Sequence, residues 1–210
     1  PLMPFVRQIV EKHVGLQVVP EQYDIVGTSL LKTLKEMLGD EAATPEFMEA
    51  WKVAYYDLAN ALIGLEKARY DEELKIENAW LGFKEGKVDK VVEESDSVKS
   101  VYLKVDDEKY ADFYPGQYVT IRLSTDGGET VQSREYSLSN EYTDLKDGLK
   151  YYRISVRRIP GGVVSNYIHD NLKAGDDIKI SSPYGKLLEP YFKQLKSEPA
   201  EVKKPKTFFI

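Results

Sequence analysis

The spacing of apolar residues changes once along this chain, near Trp80, and that switch restricts the fold more than any other feature. Before it, apolar residues recur every three or four positions, as on one face of a helix; after it they alternate, as on one face of a sheet. Helices followed by strands, rather than interleaved with them, make a multidomain α-then-β arrangement. The boundary falls at residues 76–82, giving a helical domain over 1–78 and a strand-rich domain over 79–188.

Three helices are predicted in the first part. Phe5, Ile9 and His13 share one helix face, and Gly15 supplies a stop. Pro20 opens the first turn of a second helix, whose stripe is Tyr23, Val26, Leu30, Leu34 and Leu38, up to Gly39. Thr44-Pro45 reads as an N-cap followed by an N1 proline, and the third helix carries Phe47, Trp51, Tyr55, Leu58, Leu62 and Leu65. Apolar faces this wide, rich in Tyr and Trp, point to a larger core or a bound cofactor.

Alternating runs at Lys87–Val92, Lys99–Val105, Tyr118–Leu123 and Tyr152–Val156, with strands around Tyr136 and around Ile178 and Ile180, predict a six-stranded antiparallel barrel. Turn signals at Asp126-Gly127-Gly128 and Asp147-Gly148 separate the runs. Beyond Pro183-Tyr184-Gly185 the chain is rich in Lys and Glu, and 189–210 reads as a linker ending in the strand-like Thr207-Phe208-Phe209-Ile210. Both termini look cut from a longer protein.

Composition narrows the function. A formal net charge of −6 with no Lys/Arg-rich face argues against a nucleic-acid partner. The chain has no cysteine, hence no disulfide, no thiolate nucleophile and no thiolate metal site, which fits a reducing compartment. No apolar run is long enough to span a bilayer and no signal peptide is evident, so a cytoplasmic location is the default expectation.

Two motifs carry candidate chemistry. Arg134-Glu135-Tyr136-Ser137, on a strand, offers a forked cation for a diphosphate, an aromatic face for a planar ring and a short hydroxyl for a ring nitrogen. Gly161-Gly162-Val163-Val164-Ser165-Asn166 follows another strand and opens a helix, where glycine permits close backbone approach and the first N–H groups suit an anion. Each motif also has a plain reading, as barrel-surface residues and as a Gly-Gly turn. Of the two histidines, His169 is expected on the solvent side of its helix, whereas His13 ends an apolar face.

Preceded by Phe113-Tyr114-Pro115-Gly116-Gln117-Tyr118, the two motifs resemble, in their order, the FAD-binding barrel of the ferredoxin-reductase superfamily. Ile9–Leu16 and Pro20–Gly27, followed by Leu30-Leu31, Ala50-Trp51 and Ala54-Tyr55, resemble the proximal half of the globin domain of the flavohaemoglobins, the nitric oxide dioxygenase family. A globin placed before an FAD barrel is that family's order. The resemblance implies His13 as the proximal iron ligand of haem b, Lys12 as a neighbour biasing the haem, and Tyr23 as a catalytic relay residue that orients the imidazole. It implies FAD held by Tyr118, Arg134, Glu135, Tyr136 and Ser137, with Gly162, Val163, Val164 and Ser165 contributing. Complete members pass electrons from NAD(P)H through FAD to haem and oxidise nitric oxide to nitrate with dioxygen, so the implied partners are small molecules.

Counting without gaps from Trp51 places the family's relay glutamate at Ala68. Glu66, two positions earlier at about 100° per residue, would then point to the opposite helix face and substitute only if the register shifts; otherwise the relay is incomplete. The globin's distal half and the NAD(P)-binding domain are not in the chain, so a fragment of such an enzyme, inactive by itself, is expected to bind FAD more readily than haem. The alternatives are an FAD-dependent reductase module without haem and a non-catalytic remnant.

Overall fold

A computed structural model describes residues 3–127, 130–141 and 148–186. The linker expected over 189–210, its terminal strand, Gly128 and Asp147 lie outside the described residues. The chain divides into two compact units, Pro1–Glu72 and Glu73–Ile210.

The first unit is three helices, α1 (Met3–Gly15), α2 (Glu21–Ala42) and α3 (Pro45–Glu73). Each begins as its sequence directs. Glu21 and Asp24 sit in the first turn of α2, where the helix dipole favours negative charge. Thr44 caps α3, its hydroxyl accepting the Phe47 N–H at 3.3 Å. Gly39 does not stop α2 but kinks it, with φ +71° and ψ 168°, and the helix runs on to Ala42.

The packed faces differ from the apolar stripes in the sequence. In α1, Val10 and Val14 are buried while Phe5 is exposed; in α2, Tyr23 and Gly27 are buried while Val26 and Leu38 are exposed. In α3 the buried residues are Ala59, Leu62, Glu66, Arg69 and Glu73, at the three- and four-residue spacing of one face. Trp51, Leu58 and Leu65 remain 43%, 54% and 38% exposed.

Polar contacts lock the packed faces together. The Tyr55 hydroxyl donates to the Tyr23 carbonyl at 2.6 Å, that of Tyr70 donates to Val18 O at 3.0 Å, and Arg69 Nε donates to Glu11 at 3.1 Å. At Gly27 a β-carbon would lie 2.5 Å from the Tyr55 ring, so α2 and α3 close only because that side chain is missing.

The second unit is β1 (Lys84–Ser95), β2 (Val98–Val105), β3 (Tyr118–Ser124), β4 (Val131–Ser137), β5 (Tyr152–Arg157), α4 (Val163–Asp170) and β6 (Asp177–Ile180). All strand pairs are antiparallel, in the order β4-β3-β6-β1-β2-β5. The core alternates as the sequence does: Val101, Leu103 and Val105 of β2, Val119 and Ile121 of β3, and Tyr152, Ile154 and Val156 of β5 are all essentially inaccessible. Each such aliphatic side chain contributes about 1.5–3 kcal/mol on burial. Val164 and Ile168 of α4 complete this core.

Closure differs from the expected barrel. Among the described residues the edge strands β4 and β5 form no ladder; just past the end of β4 a bridge, Leu138 to Ile154, joins the two edges. The sheet is therefore a barrel with a seam.

Candidate functional site

His13 lies in the last turn of α1, and its ring is held from behind. Nδ1 is 2.8 Å from Glu66 Oε1 on α3 and 2.9 Å from the Tyr23 hydroxyl on α2. The Tyr23 hydroxyl donates to the same carboxylate oxygen at 2.5 Å. Glu66 is an acceptor only, so the network is satisfied when Nδ1 carries the proton and donates it to Glu66, which leaves Nε2 as the lone-pair nitrogen. The imidazole is about one-third exposed, and no hydrogen bond engages Nε2 among the described residues.

This corrects the incomplete relay expected from Ala68 and corresponds to the shifted register, with Glu66 as substitute. Ala68 is exposed, whereas Glu66 is buried and supplies the acceptor. The gap-free count from Trp51 overshoots Glu66 by two residues. Counting by threes and fours from Ala59 and Leu62 along the buried face arrives at Glu66 and then Arg69.

Burial first, and then the Glu66 carboxylate, push the Tyr23 hydroxyl far above the ordinary tyrosine range. Tyr23 is thus a neutral donor at physiological pH. The constellation fixes an imidazole and orients its tautomer, which is what hydrogen-bond partners behind the ring do for an iron-ligating histidine. Among the described residues no three His, Cys, Asp or Glu side chains gather to hold a bare metal ion.

The flavin candidates lie along β4 and its neighbours. Directly opposed residues of an antiparallel pair share a face, so Ser137 sits beside Tyr118, its partner on β3. Tyr136 is opposite Val119 and packs against the core, and Arg134 is opposite Ile121 but exposed, its Nη1 donating to Ser133 O at 2.7 Å. Glu135 is opposite Thr120, on the other face from Arg134 and Tyr136. Tyr118 is held on both sides, since its backbone exchanges two hydrogen bonds with Tyr184 and its ring rests against Gly185, where a β-carbon would approach to 3.1 Å.

The second motif follows β5. Gly161 takes φ +73°, a conformation that favours glycine, and Gly162 begins α4 with no side-chain cap. The first N–H groups of the helix therefore lack intrahelical acceptors. Ser165 is buried, and its hydroxyl accepts the Ile159 N–H at 3.1 Å; Asn166 Nδ2 donates to Ile159 O and Gly162 O. Val163 is exposed and Val164 enters the core. Ser165 thus shapes the loop, while Gly161, Gly162 and Val163 form its open surface. β4 and β5 part from the Leu138–Ile154 bridge, so Arg134–Ser137 and Ser155–Gly162 lead away from one seam on its two sides.

His169 is not on the solvent side. It is buried, with Nε2 donating to Val156 O at 2.9 Å, and its carbonyl accepts the Lys99 ammonium at 2.9 Å. It anchors α4 to the sheet.

Residues 2–62 match the globin family and residues 85–188 the oxidoreductase FAD-binding domain. Fold and site together define a globin joined to a flavin-reductase barrel. A flavohemoprotein of Schizosaccharomyces pombe is 47% identical over 186 residues, covering 88% of this chain and 42% of that protein. One from Oceanobacillus iheyensis is 46% identical over 189 residues, covering 88% and 45%. The crystal structure of a flavohemoglobin from Malassezia yamatoensis, with bound FAD and heme, superposes with a TM-score of 0.75 at 28% identity, covering 90% of this chain and 46% of that one. The chain resembles a fragment of the flavohaemoglobins, aligning over about nine-tenths of its own length and spanning less than half the length of these relatives.

Proposed function

We propose that this chain is the haem-ligating and FAD-binding part of a nitric oxide dioxygenase, in which electrons from NAD(P)H pass through FAD to haem and nitric oxide is oxidised to nitrate with dioxygen. The observation that carries the reading is the His13 imidazole, its Nδ1 committed to Glu66 and Tyr23 and its Nε2 left to bind iron. Haem supplies the redox-active iron, and FAD the exchange between a two-electron donor and a one-electron acceptor.

The chain's own residues have distinct tasks. Glu66 accepts the Nδ1 proton and makes the imidazole a stronger donor; Tyr23 holds the carboxylate in place. Arg134 and the open start of α4 would hold the FAD diphosphate, and Tyr118, Tyr136 and Ser137 its ring, with Glu135 and the backbone of Gly162, Val163, Val164 and Ser165 bordering it. The proposed layout is the C-terminal part of a globin-like domain over 1–78, the FAD barrel over 79–188 and a linker to an NAD(P)-binding domain over 189–210. Among the described residues no helix is long and apolar enough to cross a membrane, and a cytoplasmic setting with small-molecule partners fits the proposed chemistry.

Absorption spectra of the chain equilibrated with FAD and haemin, then desalted, test the proposal. Flavin bands together with a Soret band that His13→Ala abolishes are expected. A flavin spectrum with no His13-dependent Soret band would favour a haem-free reductase module instead, and neither signal a non-catalytic remnant.

A further inference from the structure

The seam between β4 and β5 is joined by three consecutive residues. Leu138 bridges Ile154 and donates its N–H to Gln117 O at 2.9 Å; the Ser139 N–H donates to Arg153 O at 2.8 Å. The third contact is made by a side chain. Asn140 Oδ1 accepts the Arg153 N–H at 2.8 Å and Asn140 Nδ2 donates to Tyr151 O at 3.0 Å, so the carboxamide offers β5 the acceptor and donor that another strand's backbone would. Beside it the Ser139 hydroxyl is 2.9 Å from that of Ser155, which is 3.1 Å from that of Ser100 on β2.

The candidate flavin residues lie on both sides of this seam. Tyr118, Arg134, Tyr136 and Ser137 belong to β3 and β4, whereas Gly161, Gly162 and the start of α4 follow β5. Residues of β3 and β4 alone can hold a flavin ring and one phosphate. A diphosphate shared between Arg134 and α4 needs the two sides at a fixed separation, and among the described residues the edges are hydrogen-bonded where Ser139 and Asn140 meet β5, beside the Leu138–Ile154 bridge.

We propose that the Asn140 carboxamide fixes that separation and is a positioning residue for the FAD diphosphate, an inference that rests on the FAD reading above. The test is titration of the whole chain with FAD and, separately, with FMN, for wild type, Asn140→Ala and Asn140→Asp. Losing two hydrogen bonds at the seam should weaken FAD binding about tenfold. FMN binding should stay within about twofold of wild type, because FMN has no diphosphate to divide between the two sides. Asn140→Asp keeps the acceptor for Arg153 N–H and should lose only about threefold in FAD affinity.

Equal weakening of FAD and FMN by Asn140→Ala would mean general loosening and overturn the inference, as would unchanged FAD affinity. Should Asn140→Ala fail to fold, Asn140→Asp decides: a loss confined to FAD supports the inference and wild-type affinity overturns it. A wild-type chain that takes up neither flavin refutes the FAD reading itself and this inference with it, a result distinct from a selective effect at Asn140.

Discussion

Glu66 and Ala68 lie half a helical turn apart, and they give the His13 relay its sharpest test. Glu66→Ala strands the buried Tyr23 hydroxyl and removes the Nδ1 acceptor, at an expected cost of about 2 kcal/mol in urea denaturation. Ala68→Glu, on the exposed face, should change stability by no more than about 0.5 kcal/mol. If the two variants behave alike, the relay is not as described. Tyr23 adds a pH signature. Its folded pKa is raised, so its contribution is fully present below the unfolded value near pH 10 and is lost as pH rises beyond it. Stability followed from pH 8 to 11 should therefore fall more steeply for wild type than for Tyr23→Phe, and parallel curves would refute the assignment. His13 and Tyr23 were legible in the sequence because resemblance marks them directly. Glu66 was not, because a gap-free count from Trp51 ends at Ala68, two residues past it.

Among the elements, the contact of α2 with α3 rests on Gly27. Alanine there gains helix propensity of about 1 kcal/mol but drives a methyl group into the Tyr55 ring, and overpacking of this kind typically costs about 1–3 kcal/mol. In a Tyr55→Ala background the obstruction is gone, so Gly27→Ala should become neutral or stabilising. A double-mutant cycle measures this as a coupling of at least about 1 kcal/mol, and additive effects would contradict the packing. The strands were legible because the buried apolar residues of β2, β3, β5 and β6 keep to alternate positions. The helix faces were less so, since Val26, Leu38, Trp51, Leu58 and Leu65 follow helical spacing yet are exposed. The seam left no periodic trace, because an asparagine amide standing in for a backbone group has no period to betray it.

In the whole molecule, the two compact units should answer to different ligands. FAD at one hundred times its dissociation constant should stabilise the Glu73–Ile210 unit by about 2.7 kcal/mol and leave the transition of the helical unit in place. Amide exchange resolved by residue distinguishes the two, and uniform protection would show that the units unfold as one. The central claim is that Glu66 and Tyr23 prepare His13 for iron, and the iron–histidine stretch of the ferrous haem-loaded chain, read by resonance Raman, tests it most directly. Glu66→Gln should lower that frequency by weakening the acceptor on Nδ1. A frequency identical to wild type would contradict the account.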